Sequence, residues 1–142
     1  MDENLRREII LDHYQNPKNR ETIIDGRYIK VNSNNESCID NINLYLLIEG
    51  DVIKDLKFDG EACAISTSST SIMLQNLIGK TLDEVEEYIN NFENMINEKD
   101  YNEELLNEAI VYNEIYKQNN RKTCALLPYV GIKKAINQYK NN

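Results

Sequence analysis

Residues 42–59, INLYLLIEGDVIKDLKFD, decide the fold. Ile42, Leu44, Leu46 and Ile48 stand two apart, so a strand here puts all four on one face and gives a sheet one buried side. Glu49-Gly50-Asp51 reads as a tight connection, after which VIKDLKFD returns antiparallel to the first strand. Upstream, residues 28–32, YIKVN, supply a third strand of the same kind. The centre of the chain is therefore a small antiparallel three-stranded sheet.

Helical patterns flank it. Residues 3–15 carry Leu5, Ile9, Ile10 and Tyr14 at helical spacing, and Asn16-Pro17 ends the run because the residue before proline avoids the α region. The apolar stripe of this helix is expected to lie on the sheet. After Gly60, the stretch ACAISTSSTSIMLQNLIG reads as a loop running into a helix. Its Ser and Thr residues offer N-cap oxygens before Ile72, Leu74, Leu77 and Ile78 enter the core, and Gly79 closes it. Thr81 opens another helix with Leu82, Val85 and Ile89 on one face, and further turns follow through Leu105, Leu106 and Ile110. A last helix is expected from about Ala125 to Tyr139, with Pro128 in its first turn, where a missing amide proton costs nothing. Strands first and helices after them predict an α+β domain with helices packed on one face of the sheet.

Composition narrows the function. At 142 residues the chain suits one domain, 1–142, and 41% hydrophobic with 28% charged residues is the balance of an ordinary folded protein even at a mean hydropathy of -0.61. No run of eighteen apolar residues occurs, and MDENLRREII carries charges where a signal peptide needs an apolar stretch, so a cytoplasmic location is expected. The net charge of -8 is concentrated from Thr81 to Glu108, where ten Asp or Glu face the single Lys99. Such a surface repels phosphate backbones and anionic lipid, which argues against nucleic acid and membrane as partners. The plainer reading of that charge is solvation of helices. Nine Tyr and two Phe residues show no base-stacking pattern and read as core and surface fill.

Three cysteines make an odd number, and a reducing compartment keeps disulfides rare, so each thiol needs another explanation. Each sits at a boundary: Cys38 between two strands, Cys63 before a helix, Cys124 at the expected start of the last helix. A thiol at a helix start feels the positive end of the macrodipole, which favours the thiolate that serves both as nucleophile and as metal ligand. Asp40 follows Cys38 by two residues, so in extended backbone both side chains point the same way. Three thiolates and one carboxylate would complete a tetrahedral zinc site. Spacing alone leaves this open beside buried structural cysteine, since no C-x-x-C pair is present. His13, the single histidine, lies far in sequence from the thiols and reads as structural or surface, beside Tyr14 and Asn16.

Three strings then add to this reading. The segment LRREIILDHYQNPKNR, with Asp12, His13, Tyr14, Asn16, Pro17 and Asn19, resembles the opening of the SufU and IscU family of iron-sulfur cluster assembly proteins. The block SCIDNINLYLLIEGDVIKDLKFDGEACAIS is similar to that family's C-x-D, two strands and G-x-x-C-x-I-S, with Ser66 to Met73 continuing it. The closing RKTCALLPYVGIKKAI resembles its Arg, Cys, Ala and Leu pattern. The long acidic stretch, about residues 90–118, resembles the helical insertion that marks the SufU branch. Thr123 stands where IscU proteins carry His and where SufU proteins often carry Lys, with Lys122 one residue away. Ile39 and Ala62 stand where the family commonly has Gly, a residue that usually allows a tight or left-handed backbone.

What the resemblance implies is a zinc ion held by Cys38, Asp40, Cys63 and Cys124 in a sulfur acceptor that serves a SufS-type cysteine desulfurase. Cys38 is then the mobile acceptor, Arg121 the cation that receives the freed Asp40, and downstream iron-sulfur scaffold or acceptor proteins the next partners. Such a protein is a sulfurtransferase-type accessory rather than a stand-alone enzyme. The alternative is a scaffold whose same ligands hold iron as a nascent [2Fe-2S] cluster for transfer to acceptor proteins; thiolates suit both metals.

Overall fold

The computed structural model describes residues 1–35 and 39–141. Helix α1 spans Glu3–Gln15, and strands β1 (Ile29–Asn34), β2 (Asn41–Glu49) and β3 (Val52–Glu61) follow it. Helices α2 (Ala64–Leu77), α3 (Leu82–Ile96), the single turn α4 (Glu103–Leu106) and α5 (Asn119–Lys140) come next, with 3-10 turns at Asn107–Tyr112 and Ile115–Lys117 between the last two.

The sheet has the order β1-β2-β3 and is antiparallel throughout. Leu44 pairs with Val31 on one side and Phe58 on the other, and Leu46 pairs with Ile29 and Leu56. Ile42, Leu44 and Leu46 are all fully buried, as period-two alternation requires of a strand with one face on the core. Tyr45 is buried from the opposite face, where its hydroxyl donates to Asp59 Oδ2 at 2.8 Å.

Helix α2 departs from the sequence reading. The stretch expected as a loop is helical from Ala64, and Ser66, Thr67, Ser68, Ser69, Thr70 and Ser71 lie inside the helix and inside the protein. Six consecutive hydroxyl residues are tolerated there because each finds a partner. Thr70 donates back to the Ser66 carbonyl at 2.7 Å and Ser68 back to Ile65 at 3.2 Å, while Ser69 reaches the Ala125 carbonyl of α5 at 2.7 Å. Their small side chains let α1 and α5 pack closely on either side of α2.

The apolar stripe of α1 accordingly rests chiefly on α2 and not on the sheet. His13 pins this packing: its Nδ1 lies 2.8 Å from Ser71 Oγ and its Nε2 3.1 Å from Glu108 Oε1, with only 3% of the residue exposed. Ser71 Oγ accepts the Lys18 amide at 2.7 Å, so its own hydrogen is free to go to Nδ1 and leave Nε2–H for the carboxylate.

A capping box sets the start of α3, with Thr81 and Glu84 each accepting the other's backbone N–H. Its buried face carries Phe92 onto Tyr129 of α5, ring centroids 4.0 Å apart. Helix α5 begins six residues earlier than expected, so Pro128 sits well inside it and Cys124 in its second turn, not at its start. Among the described residues no helix is long and apolar enough to cross a membrane.

Candidate metal centre

Backbone chemistry at one end of the sheet gathers the site. Gly60, near the end of β3, has φ +110, a conformation L side chains avoid, and a Cβ there would run into the Asn41 carbonyl of β2. This close approach turns the chain from β3 toward α2 beside the residue preceding β2, which is Asp40. The glycine the turn requires is thus Gly60; Ala62, where the family commonly has Gly, takes no positive φ.

Cys63 is the N-cap of α2, its Sγ accepting the Ser66 amide at 3.4 Å. Asp40 is 1% exposed and engaged at both oxygens. Oδ1 accepts the Cys63 amide at 2.6 Å, and Oδ2 accepts the Ser66 hydroxyl at 2.7 Å. Cys124 arrives from the second turn of α5 and is buried.

One ligand atom from each of Asp40, Cys63 and Cys124 lies within 4.8 Å of the others. Cys63 Sγ stands 3.6 Å from Asp40 Oδ2. A tetrahedral zinc with bonds of about 2.3 Å to sulfur and 2.0 Å to oxygen has an S···O edge of about 3.5 Å. The donor types and the Cys63–Asp40 edge therefore fit one such ion. Cys38, the expected fourth ligand, lies outside the described residues.

The Cys124 thiol is pushed up to about 12, first by burial and then by the Cys63 thiol and the Asp40 carboxylate beside it. This reverses the expectation that a helix start would favour its thiolate. The cause is position: in the second turn the amides are already bonded within the helix, and burial, then the neighbouring Cys63 thiol and Asp40 carboxylate, prevails. A cation placed among these three groups would compensate what otherwise opposes ionisation of the Cys124 thiol.

Arg121 is exposed in the first turn of α5, one turn before Cys124, and lines a groove of about 430 Å³ with Arg6, Arg7, Ile10 and Ile65. His13 is taken by Ser71 and Glu108. Sequence reasoning missed Ser66, which touches Asp40, the Cys124 carbonyl at 3.0 Å and Cys63 Sγ at 3.7 Å. The available signal was Pro128, four residues after Cys124, which removes the amide that would ordinarily bond that carbonyl.

Comparison with known proteins agrees with this geometry. The family model of the NifU-like N terminal domain matches residues 5–142. The zinc-dependent sulfurtransferase SufU of Bacillus subtilis is 34% identical over 133 residues, 93% of this chain and 89% of that protein. The iron-sulfur cluster assembly scaffold protein IscU of Thermotoga maritima is 34% identical over 129 residues, 91% of this chain and 90% of that one. The crystal structure of FiSufU from the thermophilic Fervidobacterium islandicum AW-1 superposes with a TM-score of 0.86 at 34% identity, covering 94% of this chain and 98% of the other. The chain belongs to the SufU and IscU family, built on the NifU-like N-terminal domain.

Proposed function

We propose that this protein works in iron-sulfur cluster assembly as a zinc-bound sulfur acceptor, taking persulfide sulfur from a SufS-type cysteine desulfurase. The observation that carries the reading is the convergence of one ligand atom each from Asp40, Cys63 and Cys124 to within 4.8 Å of one another. Zinc on these residues and Cys38 would supply the positive charge that keeps the thiols deprotonated at neutral pH.

The chain's own residues then divide the work. Cys63 and Cys124, fixed by α2 and α5, are the stationary ligands, while Cys38 and Asp40, from the connection before β2, are the exchangeable pair. Cys38 released as thiolate attacks the outer sulfur of the donor's persulfide. The donor's S–S bond breaks, a new S–S bond forms on Cys38, and the donor cysteine departs as thiolate. Arg121 is the cation available to the freed Asp40 carboxylate. Downstream scaffold or acceptor proteins would take the sulfur on.

The test is mass spectrometry of the protein trapped during turnover with a cysteine desulfurase and cysteine. A persulfide on Cys38, lost in Cys38→Ala together with stimulation of the desulfurase, is the expected result. Sulfur found reproducibly on Cys124 would overturn the assignment. A second reading, a scaffold for a [2Fe-2S] cluster on the same ligands, is favoured by the equal identity to the Thermotoga maritima scaffold protein.

A further inference from the structure

We infer that Ser66 is the positioning residue of the proposed metal centre, a single hydroxyl that holds Asp40 in place as a ligand and turns to the Cys124 carbonyl when Asp40 leaves. The inference rests on the metal reading above and adds a control on ligand exchange within it. Ser66 is wholly buried, and its Oγ lies 2.7 Å from Asp40 Oδ2 and 3.0 Å from the Cys124 carbonyl oxygen. A hydroxyl has one hydrogen to donate, so these two acceptors compete for it.

Pro128 creates the competition. In an uninterrupted helix the amide of residue 128 would take the Cys124 carbonyl; proline has none, and its ring crowds that same carbonyl. The other carbonyls of this stretch that face neighbouring elements also draw hydroxyls, Ala125 from Ser69 and Leu127 from Ser33, each at 2.7 Å. Ser66 differs from them in having the carboxylate as a second acceptor.

With its hydrogen on Oδ2, Ser66 fixes the carboxylate between itself and the Cys63 amide and orients it toward the two sulfurs. When Asp40 turns away, the hydrogen passes by rotation to the Cys124 carbonyl, so the vacated site keeps a satisfied network. No proton changes owner. The Ser66 hydroxyl thereby holds Asp40 in register when bound, and the competing Cys124 carbonyl lowers the barrier to its release.

The test uses full-length protein loaded with Zn2+ or Co2+, comparing wild type, Ser66→Ala, Pro128→Ala and the double variant. The readouts are release to excess chelator and the visible spectrum of the Co2+ form. Ser66→Ala should retain the metal stoichiometry but release the ion about 10–100-fold faster, the usual loss for an outer-sphere partner, with shifted Co2+ bands. Pro128→Ala restores an amide for the Cys124 carbonyl, leaves the hydroxyl to Asp40 and should slow release. The double variant should match Ser66→Ala. Wild-type release and spectrum in Ser66→Ala would overturn the inference, as would unchanged or faster release in Pro128→Ala, which decides alone should Ser66→Ala not fold. Wild type that binds neither ion would remove the metal reading and this inference together. A wild type that binds one ion, with Ser66→Ala indistinguishable from it, removes only the role of Ser66.

Discussion

Asp40→Asn separates the carboxylate's two duties. In the metal-free protein asparagine can keep the network: its Oδ1 still accepts the Cys63 amide and its amide group donates to Ser66 Oγ, which turns its hydrogen to the Cys124 carbonyl. The bonds from the Cys63 amide and the Ser66 hydroxyl, now to a charged acceptor, become ordinary ones, a loss of roughly 1–2 kcal/mol each. Burial of a charge at a site 1% exposed is relieved, a gain of several kcal/mol. Metal-free stability should therefore hold or rise. The metal-loaded state behaves oppositely, because a neutral amide oxygen is a poor zinc ligand. Affinity should fall by more than the roughly 10–100-fold typical of an outer-sphere loss. A hundredfold fall removes about 2.7 kcal/mol of metal-derived stability at saturating zinc. At about 2–4 °C per kcal/mol for a chain near this length, that is roughly 5–10 °C of the melting increment zinc confers. The assay is calorimetric melting of wild type and variant, each with zinc and with chelator. Equal zinc increments in both proteins would refute the placement of Asp40 in the metal's coordination.

Other consequences are independent of this variant. Gly60→Ala puts a Cβ into the Asn41 carbonyl at φ +110, so it should destabilise by roughly 3 kcal/mol or more and release metal as Cys63 shifts; a urea midpoint and zinc content like wild type would contradict the turn's role. Burial, then the hydrogen bond to Asp59, pushes the Tyr45 hydroxyl up to about 12 from 10.0. The fold keeps a proton that the unfolded chain gives up, so this stability is complete below pH 10 and is lost as pH rises toward 12. Tyr45→Phe should flatten that alkaline decline in urea midpoints; parallel decline in both proteins would count against it.

The sheet was legible because Ile42, Leu44 and Leu46 of β2 fall two apart and are all buried on one face, and α1 because Pro17 forbids its continuation. Helix α2 was harder. Ser and Thr usually compete with helix backbone, and it is partners from other elements, among them the Ala125 carbonyl of α5, the His13 imidazole of α1 and the Tyr112 hydroxyl of the 3-10 segment, that make a buried hydroxyl helix favourable. The start of α5 was hidden for a related reason, since Asn119 to Thr123 show no apolar period and Pro128 suggests a beginning; Ser66 takes up the bond that proline gives up. That Asp40, Cys63 and Cys124 lie together was to be expected from the family strings, whereas their spacing alone left buried structural cysteine the plainer reading. The pairing of Ser66 with Asp40 joins residues 26 apart and has no local pattern at all.

The most direct test of the account is elemental analysis with zinc-edge X-ray absorption on protein made under iron-replete, anaerobic conditions. The account predicts about one zinc per chain with three sulfur neighbours near 2.3 Å and one oxygen near 2.0 Å, and no acid-labile sulfide. A stable [2Fe-2S] cluster in place of zinc, or zinc that persists unchanged in Cys63→Ser and Cys124→Ser, would contradict it.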